Sequence, residues 1–335
     1  MKKFNLFLLL AFFGLSVSAQ TIIVQKADGT NARMFKSLDE AVTKADANDY
    51  VYIGGGEYKI ESRWRGYNNT ANNLNWLVVE KPLHFVGGGY KAGSDIPSAI
   101  IGTLAFRKSA SGSTVTGLLF KENVYLDSIS NTIISRCQFN MLYLCGEGSN
   151  DMITECVGGI GGGPNLNSVN GTGVASYSCV ISKNILSGVK YLNDAMVNNN
   201  VLFYSTEFYK CNHLTIENNF FRYGINFGNE GLQNSVVRNN IFPSIPTATY
   251  NNSVQNNIEE WVTETFVDNN YNLKPTSLGK NAGTDGTDIG IYGTSNPFKE
   301  NTTTAYPQVI RSVIGSETNA EEKLNVDIKV EAQNK

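Results

Sequence analysis

The chain has 335 residues, of which only 17% are charged, and its formal net charge is −3. This mild negative charge argues against a nucleic-acid partner, because binding to that polyanion depends on many Lys and Arg contacts to phosphates. With 32 glycines and many asparagines, the composition is typical of turns more than of helices.

Residues 1–19 have the features of a secretory signal peptide. Lys2 and Lys3 form a positive end, residues 4–15 are almost wholly apolar, and residues 16–19 offer small side chains for cleavage after Ala19. The apolar run is shorter than the roughly 20 residues of a spanning helix, and no second long run follows. We therefore predict an exported chain in the periplasm, at the cell surface or outside the cell. The mature chain, with 25 basic and 30 acidic residues, has no predicted membrane span.

Residues 20–58 are predicted to form an N-terminal cap and the first coil of a repeat structure. Ser37 and Glu40 fit a capping box, which marks the start of a short helix. Apolar residues then follow helical spacing up to Ala45. Residues 50–53 are predicted to be a strand, and a glycine turn comes next.

A repeated unit carries the fold prediction for residues 59–273. It consists of an aliphatic anchor, two variable residues, then Cys or Asn, and usually an apolar residue. The anchors are Ile134, Ile153, Ile181, Val197, Ile216, Val237 and Val254, with Val115 as a degenerate earlier copy. They are 16 to 21 residues apart, except for the step of 28 residues from Ile153 to Ile181. We assign the excess to a loop in the glycine run at residues 158–163.

Each unit is too small to bury its apolar side alone, so neighbouring units must stack as coils of a solenoid. The fourth position of the unit then forms a column inside the stack. Asn suits such a corner because it tolerates left-handed backbone, and stacked Asn amides bond to one another. The column contains Cys137, Cys156, Asn184, Asn200, Asn219, Asn240 and Asn257.

The five cysteines are predicted to be small buried residues. Their count is odd, so they cannot all pair within one chain, and no CxxC motif is present. His84 and His213 are far apart in the sequence, so a zinc site is not predicted.

Residues 274–335 are predicted to be a turn-rich segment followed by a strand. Asp285 and Asp288 lie in a DGTDxG stretch that favours turns, and calcium stays an alternative because carboxylates are its ligands. No other cofactor is identified. Residues 324–330 alternate apolar and polar side chains, which indicates a strand with one buried face.

The chain resembles right-handed parallel β-helix proteins of the pectin-lyase-like superfamily, in particular exported β-helix proteins common in Bacteroidetes. Four stretches carry the resemblance, namely residues 37–42 with 50–58, residues 82–90 with 101–102 and 114–120, the Asn-rich coil series, and residues 283–293. The resemblance implies an all-β, single-stranded right-handed parallel β-helix with a short N-terminal helix and C-terminal strands. Because the superfamily includes lyases, hydrolases, tailspikes and adhesins, it does not imply one activity.

Two groups of residues are candidate sites. Arg136, Glu155 and Lys183 each follow an anchor by two residues, so stacking brings them together as a polar site. The alternative is a cross-strand charge ladder worth roughly 0.2–1 kcal/mol per pair. The second group could stack on sugar rings or bond to sugar hydroxyls, and consists of Trp64, Arg65, Tyr67, Tyr204, Tyr209 and Tyr223.

No catalytic motif of a lyase or hydrolase is found, since no matched column of Asp residues and no carboxylate cluster appears in the coils. The sequence therefore predicts a secreted or cell-envelope β-helix protein that contacts a polysaccharide or another glycan. Two alternatives stay open: a lyase or glycoside hydrolase with an atypical site, and a surface adhesin.

Overall fold

The structure, a computed structural model, describes residues 21–65, 72–91, 97–163, 176–203, 208–299, 308–318 and 324–331. The predicted signal peptide lies outside these ranges. Among the described residues, neither α-helix has the length and apolar character that crossing a bilayer requires.

Short strands separated by turns dominate the described part of the chain. The first sixteen are β1 (Ile22–Gln25), β2 (Arg33–Phe35), β3 (Tyr50–Ile53), β4 (Gly56–Lys59), β5 (Arg63–Arg65), β6 (Asn72–Leu74), β7 (Trp76–Val79), β8 (His84–Gly87), β9 (Ser98–Ile101), β10 (Thr103–Phe106), β11 (Thr114–Thr116), β12 (Leu119–Phe120), β13 (Val124–Asp127), β14 (Ile133–Ser135), β15 (Gln138–Cys145) and β16 (Glu147–Thr154). The others are β17 (Val157–Gly163), β18 (Ser176–Ser182), β19 (Ile185–Lys190), β20 (Met196–Asn198), β21 (Val201–Leu202), β22 (Phe208–Tyr209), β23 (Cys211–Asn212), β24 (Thr215–Glu217), β25 (Phe220–Phe221), β26 (Leu232–Gln233), β27 (Val236–Arg238), β28 (Ile241–Phe242), β29 (Ser253–Gln255), β30 (Ile258–Glu259), β31 (Gln308–Thr318) and β32 (Leu324–Glu331).

Helical structure is limited to three short elements in the described residues: α1 (Leu38–Lys44), α2 (Val262–Thr265) and a 3₁₀ turn at Lys108–Ala110. Ser37 is the N-cap of α1, where its hydroxyl accepts a hydrogen bond from the Glu40 backbone N–H at 3.5 Å, as in one half of the predicted capping box. Leu38, Ala41 and Val42 are buried beside the first strands. The hydrogen bond to the Ser37 hydroxyl satisfies the Glu40 N–H, which is one of the N–H groups that a helix start leaves without an intrahelical partner.

Two long sheets form the body of the molecule. The first has the order β2-β1-β3-β8-β11-β14-β16-β18-β20-β24-β27-β29, and the second is a fourteen-stranded sheet whose main path runs from β4 to β30. The β1–β2 and β1–β3 pairs are antiparallel, whereas the later neighbours in both sheets are parallel. The predicted all-β parallel β-helix-like solenoid is confirmed.

The predicted aliphatic anchors stack in register along the first sheet. Val115 pairs with Ile134, which pairs with Ile153, and Ile153 pairs with Ile181 across the long step. The series continues through Val197, Ile216, Val237 and Val254. Apart from the half-buried Val254, these anchors are at most 1% exposed. Burying each such side chain contributes about 1.5–3 kcal/mol, which makes this column a major part of the core.

The amide column is a continuous hydrogen-bonded ladder. Each side-chain amide nitrogen donates to the amide oxygen of the next coil, from Asn184 to Asn200, then to Asn219, Asn240 and Asn257, at 2.9–3.0 Å. Each amide oxygen also accepts the backbone N–H of the previous coil's ladder residue, so that Cys156 N donates to Asn184 at 2.8 Å. The ladder therefore satisfies buried backbone groups as well as side chains.

In the two coils before Asn184, the ladder position is occupied by Cys137 and Cys156. The thiol of Cys156 lies 3.6 Å from the Ile134 carbonyl, which corresponds to the carbonyl bonded by the Asn184 amide one coil later. Burial raises the pKa of the Cys156 thiol well above its ordinary value. All five cysteines are buried, and none of them forms a disulfide. These buried side chains therefore act as small apolar core residues.

The left-handed backbone falls on a different column from the one expected. Asn184 to Asn257 do not have positive φ, whereas the residues that precede the ladder column do. These residues are Gly117, Arg136, Glu155, Lys183, Asn199, Asn218, Asn239 and Asn256, with φ between 50° and 70°. The expectation was wrong because Asn occupies both positions in the later coils, so the sequence alone could not separate the two roles.

The glycine run predicted to be a loop is strand β17. Ile160 in this strand is fully buried and pairs with Leu142 of β15. Its glycines allow close approach of a neighbour, since a Cβ on Gly159 would lie 2.3 Å from the Met141 sulfur. The twelve residues that follow β17, 164–175, lie outside the described residues.

The chain after the last coil returns over earlier coils. We call residues 279–298 the strap. The side chain of Asn239 donates to Ala282 O at 3.0 Å, that of Asn218 to the Thr284 hydroxyl at 2.9 Å, and that of Asn199 to Gly290 O at 3.3 Å. The strap therefore runs along the column of left-handed residues. Strands β31 and β32 form a separate antiparallel pair.

Candidate functional site

The three charged residues predicted to form a polar site lie on successive coils. Arg136 Nε donates to Glu155 Oε2 at 2.5 Å, and their side chains are only 12% and 5% exposed. The Lys183 amine instead donates to the backbone oxygen of Asn296 in the strap at 2.9 Å. Burial lowers the pKa of Lys183, and the nearby Glu155 carboxylate opposes this effect. Arg136 and Glu155 therefore form an ion pair between neighbouring coils, whereas Lys183 of the next coil bonds to the strap.

The backbone at these three positions is unusual for their residue types. Arg136, Glu155 and Lys183 have φ of 50°, 56° and 55°, in the region that Gly and Asn adopt most readily. The next four coils use Asn at the equivalent position. Residues held in an unfavourable backbone conformation, at a position where Asn would adopt it with less strain, are often found at functional sites.

An open groove crosses the second sheet beside this corner; we call it the sheet groove. Its floor includes Leu119, Gln138, Val157 and Ile185, which pair one above another on consecutive coils. Three inter-strand steps of about 4.8 Å give this floor a length of roughly 14 Å. The groove has a volume of about 510 Å³.

The walls of the sheet groove combine aromatic and polar side chains. Phe203 and Tyr271 both line it and meet edge to face with ring centroids 5.4 Å apart. The Arg222 guanidinium lies 4.5 Å from the Phe203 ring centroid, a cation–π contact that stabilises this ring. Lys121 and Asn140 provide hydrogen-bond donors along the same groove.

A second, more enclosed cavity of about 240 Å³ opens from the same floor, and we call it the side pocket. It shares Gln138, Val157, Ile185 and Tyr271 with the sheet groove. Its other lining residues are Tyr90, Lys91, Asn269, Asn270, Tyr292 and Phe298. Burial raises the pKa of the Tyr90 phenol above its ordinary value.

A larger depression of about 700 Å³ lies elsewhere and is a weaker candidate. It is open to solvent and is lined by Glu80, Arg107, Lys108, Ser109, Asp127 and Ser128, without an aromatic ring. Arg107 and Asp127 form an ion pair at 3.2 Å, which engages its most buried charges with each other. We therefore favour the sheet groove and the side pocket, where apolar walls and a few polar groups converge as in typical ligand sites.

Among the six predicted glycan-contacting residues, Tyr209 and Tyr223 are the two whose side chains the structure describes. Tyr209 contacts Tyr191 edge to face at 5.1 Å, and a hydrogen bond with Glu230 raises the pKa of its hydroxyl. Tyr223 is 46% exposed, with Arg222 5.7 Å from its ring centroid. Neither residue lines the groove. Of the others, Trp64 and Arg65 belong to β5 with side chains outside the description, and Tyr67 and Tyr204 lie outside the described residues.

The residues that close the site were not predicted from the sequence. Tyr292 and Phe298 belong to residues 274–335, which were predicted to be turn-rich, and Tyr271 lies near the end of the range predicted to be β-helix. The available signal was the presence of aromatic residues in a stretch otherwise made of turns. Asp285 and Asp288 in that stretch make turn contacts, Asp285 with Thr287 and Asp288 with Asn281 and Lys280.

Within the described ranges, no group of three or more His, Cys, Asp or Glu side chains is placed to hold a metal ion. The fold and the site thus define a parallel β-helix-like solenoid with an aromatic-walled groove on one sheet. Comparison of the chain with protein-family models, with curated proteins and with solved structures gave no match.

Proposed function

We propose that this protein is an exported β-helix protein that binds a carbohydrate chain along the sheet groove. The observation that carries the proposal is the groove itself, in which a straight floor of stacked coil residues is bordered by Phe203, Tyr271 and Asn140. Aromatic rings pack on the apolar faces of sugars, and amides bond to their hydroxyls. A rigid floor also limits the conformational entropy lost on binding.

The charge of the groove is compatible with neutral or acidic glycans. Among the described residues that line it, Lys121 is the only charged one, and none of them is Asp or Glu. The strap holds Lys183 close by. The proposal therefore does not depend on a calcium ion or any other cofactor, and it treats the protein as a binder without an identified catalytic motif.

The resemblance to the pectin-lyase-like superfamily and the signal peptide belong to the same proposal. The parallel coils and the amide ladder support the proposed superfamily resemblance, because the repeated coil sequence is one of the features on which it was based. The signal peptide is tested by mass spectrometry of the secreted protein. A mature N-terminus at Gln20 is expected, and retention of residues 1–19 would contradict export by this route.

The binding proposal is tested with a glycan array, followed by titration calorimetry with each hit. We expect Tyr271→Ala and Phe203→Ala to weaken binding at least tenfold, because both rings border the groove. The control is Tyr250→Ala, whose side chain is 49% exposed and lies outside the groove lining. Absence of any glycan binding, or equal affinity of all variants, would overturn the proposal and leave the adhesin alternative.

The same samples distinguish binding from catalysis. Assays for unsaturated and for new reducing ends are run on every glycan that binds. We expect no product. Product that disappears in Glu155→Gln would instead favour the lyase or hydrolase alternative, because Glu155 is the carboxylate of the buried ion pair next to the groove.

A further inference from the structure

The side pocket lies to one side of the path that a chain in the sheet groove would follow. The groove extends over successive coils, from Leu119 to Ile185 and on to Phe203. The side pocket shares part of that floor but leads away from it, toward Tyr90 and the strap residues Tyr292 and Phe298. A linear chain in the groove would therefore leave the side pocket empty.

The size of the side pocket suits a single ring. Its volume of about 240 Å³ is below the roughly 300–1,000 Å³ typical of sites for drug-sized ligands. Four aromatic side chains line it, namely Tyr90, Tyr271, Tyr292 and Phe298. Three residues with side-chain amides, Gln138, Asn269 and Asn270, also line it, together with Lys91, Val157 and Ile185. The aromatic rings can pack on the apolar face of a single sugar residue, and the amides can bond to the hydroxyls of that sugar.

The wall of the side pocket is held in place by the rest of the structure. Asn199 donates to Gly290 and Lys183 to Asn296, on either side of Tyr292. Ile291 and Phe298 are buried in a cluster with Val201 and neighbouring residues. The pocket is therefore preformed, and a preformed pocket can discriminate between ligands without a large ordering cost.

From this geometry we infer that the side pocket binds a single sugar carried as a branch on a glycan whose main chain lies in the sheet groove. The inference rests on the proposed carbohydrate-binding function and adds its specificity. Binding of both parts at once makes a branched glycan a better ligand than its linear main chain, because the second contact becomes intramolecular.

The test compares linear and branched oligosaccharides with the same main chain. Cellotetraose is paired with xyloglucan heptasaccharide, and mannotetraose with 6-galactosyl-mannotetraose, in calorimetric titrations of the full mature chain. We expect the branched member of at least one pair to bind at least tenfold more tightly. Tyr292→Ala should reduce its affinity to that of the linear member, because Tyr292 lines the side pocket and not the groove.

A second variant guards against a fold defect in the first. Asn270→Ala changes an exposed side chain of the side pocket and should weaken only the branched ligand. Phe203→Ala, in the groove alone, should weaken both members of the pair. If the linear and branched members bind equally, the inference fails while the proposed function stands. If neither pair and no glycan on the array binds, both fail.

Discussion

The side-chain oxygen of Asn219 accepts two hydrogen bonds from Asn200, one from its backbone N–H and one from its amide, each at 2.9 Å. The Asn219 amide in turn donates to Val197 O at 2.8 Å and to Asn240 Oδ1 at 3.0 Å. One buried side chain thus joins three coils. The bonds of this residue are the basis of the first prediction.

Asn219→Ala should lower the free energy of unfolding by roughly 2–6 kcal/mol, because at least two buried groups lose partners at about 1–3 kcal/mol each. The measurement is urea denaturation followed by circular dichroism. Asn140→Ala is the matched control, since its side chain is exposed and its amide donates to Asn123 Oδ1 at 3.3 Å. It should change the free energy by less than about 0.5 kcal/mol. Equal losses for the two variants would contradict the role of the ladder.

Cys156→Asn should extend the ladder by one coil. The new amide would replace a thiol that lies 3.6 Å from Ile134 O, and could donate to that carbonyl as Asn184 donates to Ile153 O. We expect it to unfold at a higher urea concentration than Cys156→Val, which is similar in size to Cys and has no donor. The reverse order would show that this coil has no room for an amide.

Replacing both residues of the buried Arg136–Glu155 ion pair should cost less stability than replacing Glu155 alone. Glu155→Asn alone leaves the largely buried Arg136 guanidinium without its carboxylate, and should cost about 3–5 kcal/mol. The double variant Arg136→Asn, Glu155→Asn places at both left-handed positions the residue that later coils use, and should regain most of that loss. The same denaturation experiment checks both. A double variant no more stable than Glu155→Asn would show that the pair is retained for stability.

Asn218 is predicted to anchor the strap. Its side chain donates to the Thr284 hydroxyl at 2.9 Å and accepts from Thr284 N at 2.8 Å. Asn218→Gly keeps the left-handed backbone, with φ of 57°, and removes both bonds. Amide hydrogen exchange of residues 280–298 should then become faster. Asn256→Gly, at an exposed position of the same column, should leave these rates unchanged.

Tyr125 should contribute to loss of stability in alkali. Burial, together with the neighbouring Tyr143 and Cys145, raises the pKa of Tyr125 to about 12. Because the folded pKa exceeds the ordinary value of about 10, its contribution is fully present below pH 10 and is lost as the pH rises toward 12. Tyr125→Phe should flatten this loss in denaturation curves taken between pH 9 and about 12. Tyr250→Phe, at a 49% exposed position, should not.

The repeat could be read from the sequence because the same residue types recur at each level of the stack. The anchors from Val115 to Val254 and the ladder from Asn184 to Asn257 follow from spacing alone. The proximity of Arg136 to Glu155 follows from the same register. These features depend on neighbouring coils, so a pattern of about 19 residues contains them.

The sheet groove and the side pocket could not be predicted in the same way. Tyr292 and Phe298 reach Gln138 only because the strap returns over coils more than one hundred residues earlier. No local periodicity encodes such a return. The prediction for strand β17 was also wrong. Its glycines are typical of a turn, but in the structure Gly159 and Gly161 leave space for the Met141 side chain of the adjacent coil.

The equal steps of 19 residues from Val115 to Ile134 and on to Ile153 have an evolutionary consequence. Gain or loss of one such block keeps every remaining contact between neighbours, so the stack can change length without redesign of its interior. The floor from Leu119 to Val157 belongs to these same blocks. Duplicating one block would therefore lengthen the ligand path by one step, and related chains of different length should accommodate oligomers of different size.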